Sequence, residues 1–349
     1  MNKLDSPSIF IGKQGGGYIS LGSGQPDLPP PKEAIENIDI RSDLRYGLVS
    51  GEPELRVNLS KEYPKSNPDD FVITNGASEA LDLIFRAMPN GKVLLGKPYY
   101  YSYPHLLKNA GMEPVYTELI DGRIDIEDFK KKVIGCEAVL INSPSNPTGR
   151  VEAIETLKEI EKITRELGVY VISDEVYKDL IYTRDNYMIQ GEHVITINSF
   201  SKTYAMCGVR VGYLWSNDSE IVRKVVEIKT HSSMNTNLVG QDMALCAMSA
   251  PQSYIDNQLE IWRERRDYIY ERLKGMGLDL WKPEGAFYVF PKVPDPRKTV
   301  WDLYSKHKII TYLGEWFGDP ERIRLSYATD IKEIKKSMDV MEKYLKENA

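Results

Sequence analysis

The sequence contains few of the residues that build disulfide frameworks or metal centres. Only three of the 349 residues are cysteine and only four are histidine. Cys136, Cys207 and Cys246 are odd in number and have no C-x-x-C spacing, so they indicate neither a set of disulfides nor a thiolate metal site. The histidines are scattered and show no H-E-x-x-H spacing. We therefore expect no metal and a reducing, cytoplasmic location.

Long apolar runs and blocks of basic charge are also missing. No run approaches the roughly 18 apolar residues that span a bilayer, and the N-terminus lacks the apolar stretch of a signal peptide. The net charge is -6, and no block of about five or six basic residues occurs. We expect neither a membrane nor a nucleic acid to be a partner.

Three common motifs of catalysis and nucleotide binding do not occur either. The sequence has no G-x-S-x-G elbow, no P-loop and no G-x-G-x-x-G dinucleotide fingerprint. The candidate chemistry lies instead at the ends of short apolar segments.

The length and the order of these segments predict two structural units. A prior of about 150 residues per domain gives two domains for a chain of this size. Short β-branched runs alternate with amphipathic helical segments, which predicts an α/β fold with a mostly parallel sheet covered on both faces. The runs are "DFVITN", "GKVLLG", "EAVLIN", "VYVISD", "HVITIN" and "RVGYLW". We place this large domain at residues 40–250.

After "SAPQSY" the pattern changes to long helical segments around the short strands "GAFYVF" and "RIRLSY". This pattern predicts a smaller α+β unit. We assign residues 251–349 to it and expect the irregular residues 1–39 to pack on it.

Polar residues follow several predicted strands at their carboxyl ends, the edge at which open α/β sheets bind ligands. After "FVIT" come Gly76, Ala77 and Ser78 before a helical segment, which is either an anion site at a helix N-terminus or an ordinary cap. "EAVLIN" runs into "NSPSNPTG", which is either a rigid loop that presents Asn142 and Asn146 or a simple proline-rich turn.

The next two strands end in charged side chains. "VYVIS" ends in Asp174, which is costly to bury without a cationic partner, although a helix cap is the simpler alternative. "HVITIN" is followed by Ser199, Ser201 and Lys202. A lysine at the same edge as an aspartate is a candidate nucleophile, whereas a surface lysine is the commoner case. Together, an anion site, fixed amides, a carboxylate and an amine match the needs of pyridoxal phosphate.

With these motifs in this order, the chain resembles the class I/II aminotransferases, pyridoxal-phosphate enzymes of fold type I. The resemblance runs from "LGSGQPDLPPP" to "RIRLSYATD" and rests on "NSPSNPTG", "SDEVY" and "SFSKTYAMCGVRVGY". It implies a large domain with a mostly parallel, seven-stranded sheet beside a smaller α+β domain.

The resemblance also implies roles on the cofactor side. Lys202 matches the lysine that bonds to the cofactor aldehyde and moves the proton between the substrate Cα and the cofactor C4′. Asp174 matches the partner of the pyridine nitrogen, and Asn146 and Tyr177 match the donors to the ring hydroxyl. Five residues match contacts to the cofactor phosphate: Gly76, Ala77, Ser199, Ser201 and Arg210. Tyr100 matches the residue that stacks on the cofactor ring, and Tyr99 and Tyr101 are its alternatives.

On the substrate side, Arg324 matches the arginine that clamps the α-carboxylate, and Gly24 matches a backbone contact to the same group. Arg322 lies two residues earlier on the same strand face, so spacing does not choose between the two arginines. Tyr46 matches a tyrosine that reaches the phosphate of the neighbouring subunit, which implies a homodimer with shared active sites. A core tyrosine is the alternative for Tyr46.

The implied activity is ping-pong transamination between an amino acid and a 2-oxo acid. Ser78 stands where related aspartate aminotransferases often carry a lysine for the distal carboxylate, so we slightly favour neutral or aromatic donors over aspartate. The alternatives are a C-S lyase or a decarboxylase on the same scaffold, or an activity like that of histidinol-phosphate aminotransferase.

Overall fold

The computed structural model describes residues 4–10, 16–37, 45–182 and 186–348. The strands are β1 Ile19–Ser20, β2 Phe71–Thr74, β3 Lys92–Lys97, β4 Glu113–Ile120, β5 Arg123–Ile124, β6 Ala138–Asn142, β7 Tyr170–Asp174, β8 Val194–Ser199, β9 Gly212–Trp215, β10 Tyr288–Val289, β11 Ile309–Ile310, β12 Tyr312–Leu313 and β13 Ile323–Ser326. The α-helices are α1 Glu33–Glu36, α2 Pro53–Ser60, α3 Ala77–Ala87, α4 Tyr103–Asn109, α5 Ile126–Lys132, α6 Ile154–Leu167, α7 Ser219–Thr230, α8 Leu238–Ala247, α9 Gln252–Gly275, α10 Pro296–His307 and α11 Ile331–Glu347. Short 3-10 helices lie at Pro7–Phe10, Pro68–Asp70 and Gly314–Phe317.

The central sheet, within the described residues, has eight strands in the order β2-β9-β8-β7-β6-β3-β4-β5. Neighbours from β8 to β4 are parallel, whereas β9 is antiparallel to both β2 and β8, and β5 is antiparallel to β4. The predicted mostly parallel sheet of seven strands is therefore confirmed, with the two-residue β5 added at its edge. The β4 segment "EPVYTELI" is not among the predicted runs because polar and apolar residues mix along it and most of it is partly exposed.

The direction of the strands gathers their ends at one edge. Because β9 is antiparallel to both of its neighbours, β2 and β8 point the same way, and the carboxyl ends of β2, β3, β6, β7 and β8 lie together. The antiparallel β9 begins at this edge with Gly212, which pairs with Thr74 and Ser199. A Cβ at Gly212 would lie 2.7 Å from the Ala77 nitrogen, so a glycine is needed for α3 to start this close to the sheet.

Helices cover both faces of the sheet, as a parallel sheet requires. Along β3 the side chains alternate between two cores. Leu95 packs in the core that includes Ile84 of α3 and Val225 of α7. Leu94 packs in the opposite core, which includes Ile160 of α6. Because both faces of the sheet are packed, the ends of its strands hold their side chains in fixed positions.

A further core joins the two ends of the chain. β10, β13 and β12 form a three-stranded antiparallel sheet, and β1 pairs in parallel with β11. Leu4, Phe10 and Leu21 are buried in the same core as Trp262 and Leu325. The N-terminal residues thus pack on the C-terminal unit, while the domain limits at residues 40 and 250 stay a prediction. Among the described residues, no helix is both long enough and apolar enough to cross a membrane.

Candidate active site

A cavity of about 310 Å³ opens at the carboxyl edge of the sheet. Its walls come from the strand ends, from the N-terminal segment around Gly24 and from β10, β12 and β13. The predicted site residues that line it are Gly24, Ala77, Tyr100, Asn146, Asp174, Tyr177, Ser199, Ser201, Lys202, Arg210 and Arg324. Segments far apart in sequence therefore contribute to one cavity.

One end of the cavity is built to receive an anion. Helix α3 starts at Ala77, and the free N-H groups of a first helical turn, together with the helix dipole, attract negative charge. Arg210 Nη2 donates to the Asn75 carbonyl at 3.2 Å, and Arg210 Nη1 donates to the Cys207 carbonyl at 3.0 Å. Gly76 has φ +77, and a Cβ there would collide with the Arg210 guanidinium. Gly76 thus lies beneath the arginine and outside the cavity lining.

Two buried serines lie beside this anion-binding end. Ser199 is the last residue of β8, and the backbone N-H of Ser201 donates to its hydroxyl oxygen at 3.2 Å. This arrangement folds the chain tightly at the end of β8, so that both serines line the cavity just before Lys202. Both hydroxyl groups can donate hydrogen bonds to an anion that lies at the start of α3 beside Arg210.

Lys202 extends across the cavity from this turn. Its Nζ donates to the Gly24 carbonyl at 2.6 Å and lies 6.0 Å from the centre of the Phe287 ring. The next residue, Thr203, is held by two hydrogen bonds. Its hydroxyl donates to Asp179 at 3.0 Å, and the Gln258 side chain donates to its carbonyl at 3.3 Å. The backbone of the lysine loop is thereby held while the ammonium group stays in the cavity.

Asp174 places a carboxylate at the buried floor of the cavity. Its side chain is almost inaccessible, and burial raises its pKa to about 6. The Tyr103 hydroxyl donates to Asp174 Oδ2 at 2.6 Å, and the Val176 N-H donates to Oδ1 at 3.3 Å. These bonds lower the pKa but offset burial only in part. A cation on a ligand would complete the partners of this carboxylate.

The tyrosines of "KPYYYSYP" separate in the structure. Tyr100 and Tyr101 line the cavity, whereas Tyr99 stacks on Tyr116 at 5.2 Å and does not line it. Tyr99 is therefore disfavoured as the ring-stacking residue. Tyr103 points to Asp174 and was not singled out by the sequence, because its hydroxyl is brought to that carboxylate only by the start of α4.

Tyr177 also lines the cavity and is buried by the C-terminal unit's Tyr288 and Phe287 rings, which pack edge-on against it. Its hydroxyl shares a 2.8 Å hydrogen bond with that of Tyr288, and burial raises its pKa well above the ordinary value. Asn146 is oriented by Asn142, whose side-chain oxygen accepts the Asn146 N-H at 2.8 Å. The Asn142 amide also donates to the Asp174 carbonyl at 3.1 Å, which ties the two strand ends together.

Arg324 forms the second cationic end of the cavity. It donates to Asn146 Oδ1 at 2.8 Å and to the Gly22 carbonyl at 2.5 Å. Its guanidinium carbon lies between aromatic rings, 4.4 Å from the centre of Tyr288 and 4.9 Å from that of Tyr312. A planar cation held between rings is well suited to grip a carboxylate.

The structure separates Arg324 from Arg322, which sequence spacing left equal. Arg322 donates to Asp279 at 3.0 Å, lies 3.2 Å from Asp319 and stacks on Trp281 at 4.1 Å. It does not line the cavity. Its charge is therefore used in a separate ion-pair cluster.

Like Gly76, the predicted residue Tyr46 does not line the cavity of its own chain. Its side chain is 82% exposed. Tyr288 and Tyr312, in contrast, were missed: only the fold of the C-terminal unit brings "GAFYVF" and β12 against Arg324. Among the described residues, no group of three His, Cys, Asp or Glu side chains is arranged to hold a metal ion.

Comparison with known proteins places this geometry in a family context. The family model of the aminotransferases of class I and II matches residues 17–340. An aspartate aminotransferase from Thermotoga maritima is 34% identical over 363 residues, covering 98% of this chain and 95% of the relative.

Solved structures agree in fold over nearly the whole chain. The crystal structure of aspartate aminotransferase from Thermotoga maritima matches with a TM-score of 0.89 at 33% identity. The match covers 97% of this chain and 94% of the Thermotoga chain. The structure of an aromatic aminotransferase from Pyrococcus horikoshii matches with a TM-score of 0.87 at 31% identity. The match covers 95% of this chain and 96% of the Pyrococcus chain. The similar proteins thus include one named for aspartate and one named for aromatic substrates.

Proposed function

The chain belongs to the class I and II aminotransferases, enzymes that transfer amino groups with pyridoxal phosphate, and we propose that it moves an amino group between an amino acid and a 2-oxo acid by a ping-pong reaction. The observation that carries the proposal is the convergence of four groups on one cavity. They are the Lys202 amine, the Asp174 carboxylate, the anion-binding end at Arg210 and the Arg324 guanidinium.

The residues fit pyridoxal phosphate chemically. The phosphate would lie at the start of α3 with Ser199, Ser201 and Arg210, where the missing side chain of Gly76 leaves room for the arginine. The buried Asp174 carboxylate would meet the protonated pyridine nitrogen, and Tyr100 would cover the ring. When bound, the cofactor supplies an aldehyde for the amino group and a ring that accepts the electron pair released at Cα.

Lys202 is the proton carrier in this proposal. Its Nζ would bond the cofactor in the resting enzyme and, once an amino acid has replaced it, would take the proton from the substrate Cα. Tyr177 and Asn146 would donate to the ring hydroxyl and keep the ring fixed during the transfer. Asp174 would hold the pyridine nitrogen protonated from the buried side.

Arg324 would select which bond of the substrate reacts. A two-pronged bond between its guanidinium and the α-carboxylate, with Gly24 beside it, would fix the Cα-H bond relative to the ring. At present the two Nη groups point to Asn146 and Gly22, and Nε has no hydrogen-bond partner among the described residues although it is buried. A carboxylate would give this buried donor an acceptor.

The lining also bears on the side chain that is accepted. Among the described lining residues, the basic side chains are Lys202, Arg210 and Arg324, and the proposal uses all three for the cofactor and the α-carboxylate. Ser78 offers no charge for a second carboxylate, while Tyr101 and Tyr312 add aromatic surface. This supports neutral or aromatic donors slightly over aspartate, and the names of similar proteins include both classes.

A single-turnover panel of amino acids tests the reaction type. The purified holoenzyme is mixed with each amino acid, and the released products are identified. A 2-oxo acid that matches the donor, without ammonia or carbon dioxide, is the expected result. Release of ammonia with pyruvate would indicate a lyase, and release of carbon dioxide would indicate a decarboxylase. Activity with histidinol phosphate alone would indicate an enzyme like histidinol-phosphate aminotransferase. Lys202→Ala should remove the yellow colour of the holoenzyme, and wild-type protein that never binds the cofactor would overturn the proposal.

The homodimer and the cytoplasmic location belong to the same proposal. Tyr46 is supported as a residue for the partner's site by its exposure and by its position outside the cavity of its own chain. Loss of cofactor affinity in Tyr46→Phe, measured on a dimer confirmed by light scattering, is the expected result.

A further inference from the structure

A fully buried lysine lies behind the anion-binding end of the cavity. Lys229, in the last turn of α7, has a side chain with 0% exposure. Its Nζ lies 3.1 Å from Glu79 Oε2 and donates to the Ser233 hydroxyl at 3.0 Å. Burial lowers the pKa of Lys229, and the Glu79 carboxylate opposes that effect. A buried ammonium group is costly unless it is paired in this way.

The same carboxylate oxygen also holds the turn that precedes α3. Glu79 Oε2 accepts the backbone N-H of Asn75 at 2.5 Å. The carbonyl of Asn75 in turn accepts Arg210 Nη2 at 3.2 Å. A continuous series of polar contacts therefore runs from Lys229 through Glu79 and Asn75 to the arginine of the anion-binding end.

Glu79 poses an electrostatic problem for that end. It lies in the first turn of α3, where a carboxylate is favoured by the helix dipole but competes with any anion bound at the same N-terminus. The Lys229 ammonium group lies on the buried side of Glu79 and neutralises its carboxylate. Because little water reaches this position, solvent screens the pair only weakly. The pair thus allows a carboxylate to brace the turn without repelling an anion in the cavity.

We propose that Glu79 and Lys229 are positioning residues of the anion-binding end: together they fix the Asn75–Gly76 backbone under Arg210 and keep the local charge favourable for the phosphate of the cofactor. This inference rests on the proposed function, since it takes the anion to be the phosphate of pyridoxal phosphate. It assigns a role to a buried ion pair that touches neither substrate nor cofactor.

The test compares two ligands that differ only in the phosphate. Apoenzyme is titrated with pyridoxal phosphate and with pyridoxal, and both dissociation constants are read from absorbance. Lys229→Met should weaken pyridoxal phosphate by about tenfold or more, because it leaves the Glu79 charge uncompensated, and should change pyridoxal less than about threefold. A variant that weakens both ligands equally, or neither, would overturn the inference.

Two further variants separate charge from packing. The double variant Glu79→Gln with Lys229→Met removes both charges and keeps a side-chain oxygen for the Asn75 N-H, so it should return pyridoxal phosphate affinity to within about threefold of wild type. A double variant as weak as Lys229→Met would contradict the role of charge. If Lys229→Met does not fold, Lys229→Gln removes the same charge but keeps a polar donor for Glu79, and it must also weaken pyridoxal phosphate more than pyridoxal.

The matched control lies on the same helix. Lys224 and Glu220 form an exposed ion pair at 2.8 Å on α7, so Lys224→Met should leave both dissociation constants unchanged. The two proposals fail separately: wild-type protein that binds neither ligand contradicts the proposed function, whereas normal binding with no phosphate-specific loss contradicts only the role of the ion pair.

Discussion

The hydroxyl groups of Tyr177 and Tyr288 lie 2.8 Å apart, and the ring of Tyr288 also lies 4.4 Å from the Arg324 guanidinium carbon. One tyrosine therefore touches both the proposed cofactor side and the proposed substrate side. Gly24 is part of the same contact, because a Cβ there would collide with the Tyr288 hydroxyl. Substitutions at Tyr288 can separate the two sides experimentally.

Tyr288→Phe removes the hydroxyl and keeps the ring. The Tyr177 hydroxyl then loses its partner at 2.8 Å, so the absorbance of the holoenzyme should change if Tyr177 contacts the cofactor. The KM for the amino acid should stay within about threefold, because the ring still packs on Arg324. Tyr288→Leu should instead raise KM by about tenfold, since it removes the cation-π contact. Equal KM values for the two variants would contradict this division of roles.

Arg324→Lys tests the need for a planar, two-pronged donor. Lysine keeps the charge but not the fork, so kcat/KM should fall by about 100-fold for every amino acid donor. The matched control is Arg322→Lys, which changes the arginine just before β13 that pairs with Asp279 and Asp319. That variant should lower the melting temperature and leave KM unchanged. A larger KM effect at Arg322 would assign the carboxylate to the other arginine.

The pH dependence of cofactor binding should report Asp174. Burial raises the pKa of its carboxyl group to about 6 in the cofactor-free chain, so the group is ionised above that pH and neutral below it. Only the ionised form pairs with a protonated pyridine nitrogen. Affinity for pyridoxal phosphate should therefore fall as the pH drops through 6, by up to about tenfold per unit.

Asp174→Asn supplies the reference for that titration. A phosphate group also titrates near pH 6, and that contribution persists in the variant. The asparagine enzyme should bind weakly at pH 7.5 and show a shallower fall at lower pH. Superimposable pH profiles for the two proteins would rule out Asp174 as the titrating group.

Glu175 should limit stability at neutral and basic pH. Burial raises its pKa from 4.5 to about 7, although the Ser173 hydroxyl donates to Oε1 at 2.9 Å. Because the pKa of Glu175 is higher in the folded state than in the unfolded state, the contribution of Glu175 to the free energy of unfolding falls as the pH rises from 4.5 to 7. Above pH 7 that contribution stays at its low value. Glu175→Gln should therefore stabilise the protein by on the order of 2 kcal/mol at pH 8 and by little at pH 4.5.

Urea unfolding at both pH values measures that difference. The exposed Glu220 provides the control, and Glu220→Gln should change stability by less than about 0.5 kcal/mol at either pH. A stabilisation of Glu175→Gln that is equal at the two pH values would show that burial of the charge is not its cause.

Strand ends were the part of the site that the sequence could predict. Asp174, Ser199 and Lys202 each follow a short apolar run, and the rule that parallel strands present their carboxyl ends together places them at one edge. The individual roles came from family resemblance, and they stay predictions. The structure adds that these residues line a common cavity.

Contacts between distant segments could not be predicted. Tyr103 reaches Asp174 across 71 positions, and Lys229 reaches Glu79 across 150 positions. Neither pair has a sequence signature, because each depends on how distant elements pack, a helix against a strand end in the first case and two helices in the second. The choice between Arg322 and Arg324 has the same origin: sequence spacing puts both on one strand face, whereas in the structure Arg322 precedes β13 and contacts Asp279, Asp319 and Trp281.

The joining of the two chain ends has a consequence for the order in which the cavity can form during synthesis. The proposed cofactor contacts of the chain's own cavity lie between residues 76 and 210, whereas Arg324 lies near the end of the chain. Its strand is tied to the N-terminal segment by the bond from the Ser326 N-H to the Leu21 carbonyl at 2.6 Å. Because chains fold from the N-terminus as they leave the ribosome, the sheet that carries Lys202 can form first. A nascent chain would thus hold the lysine proposed to react with the cofactor before it acquires the arginine proposed to bind the substrate.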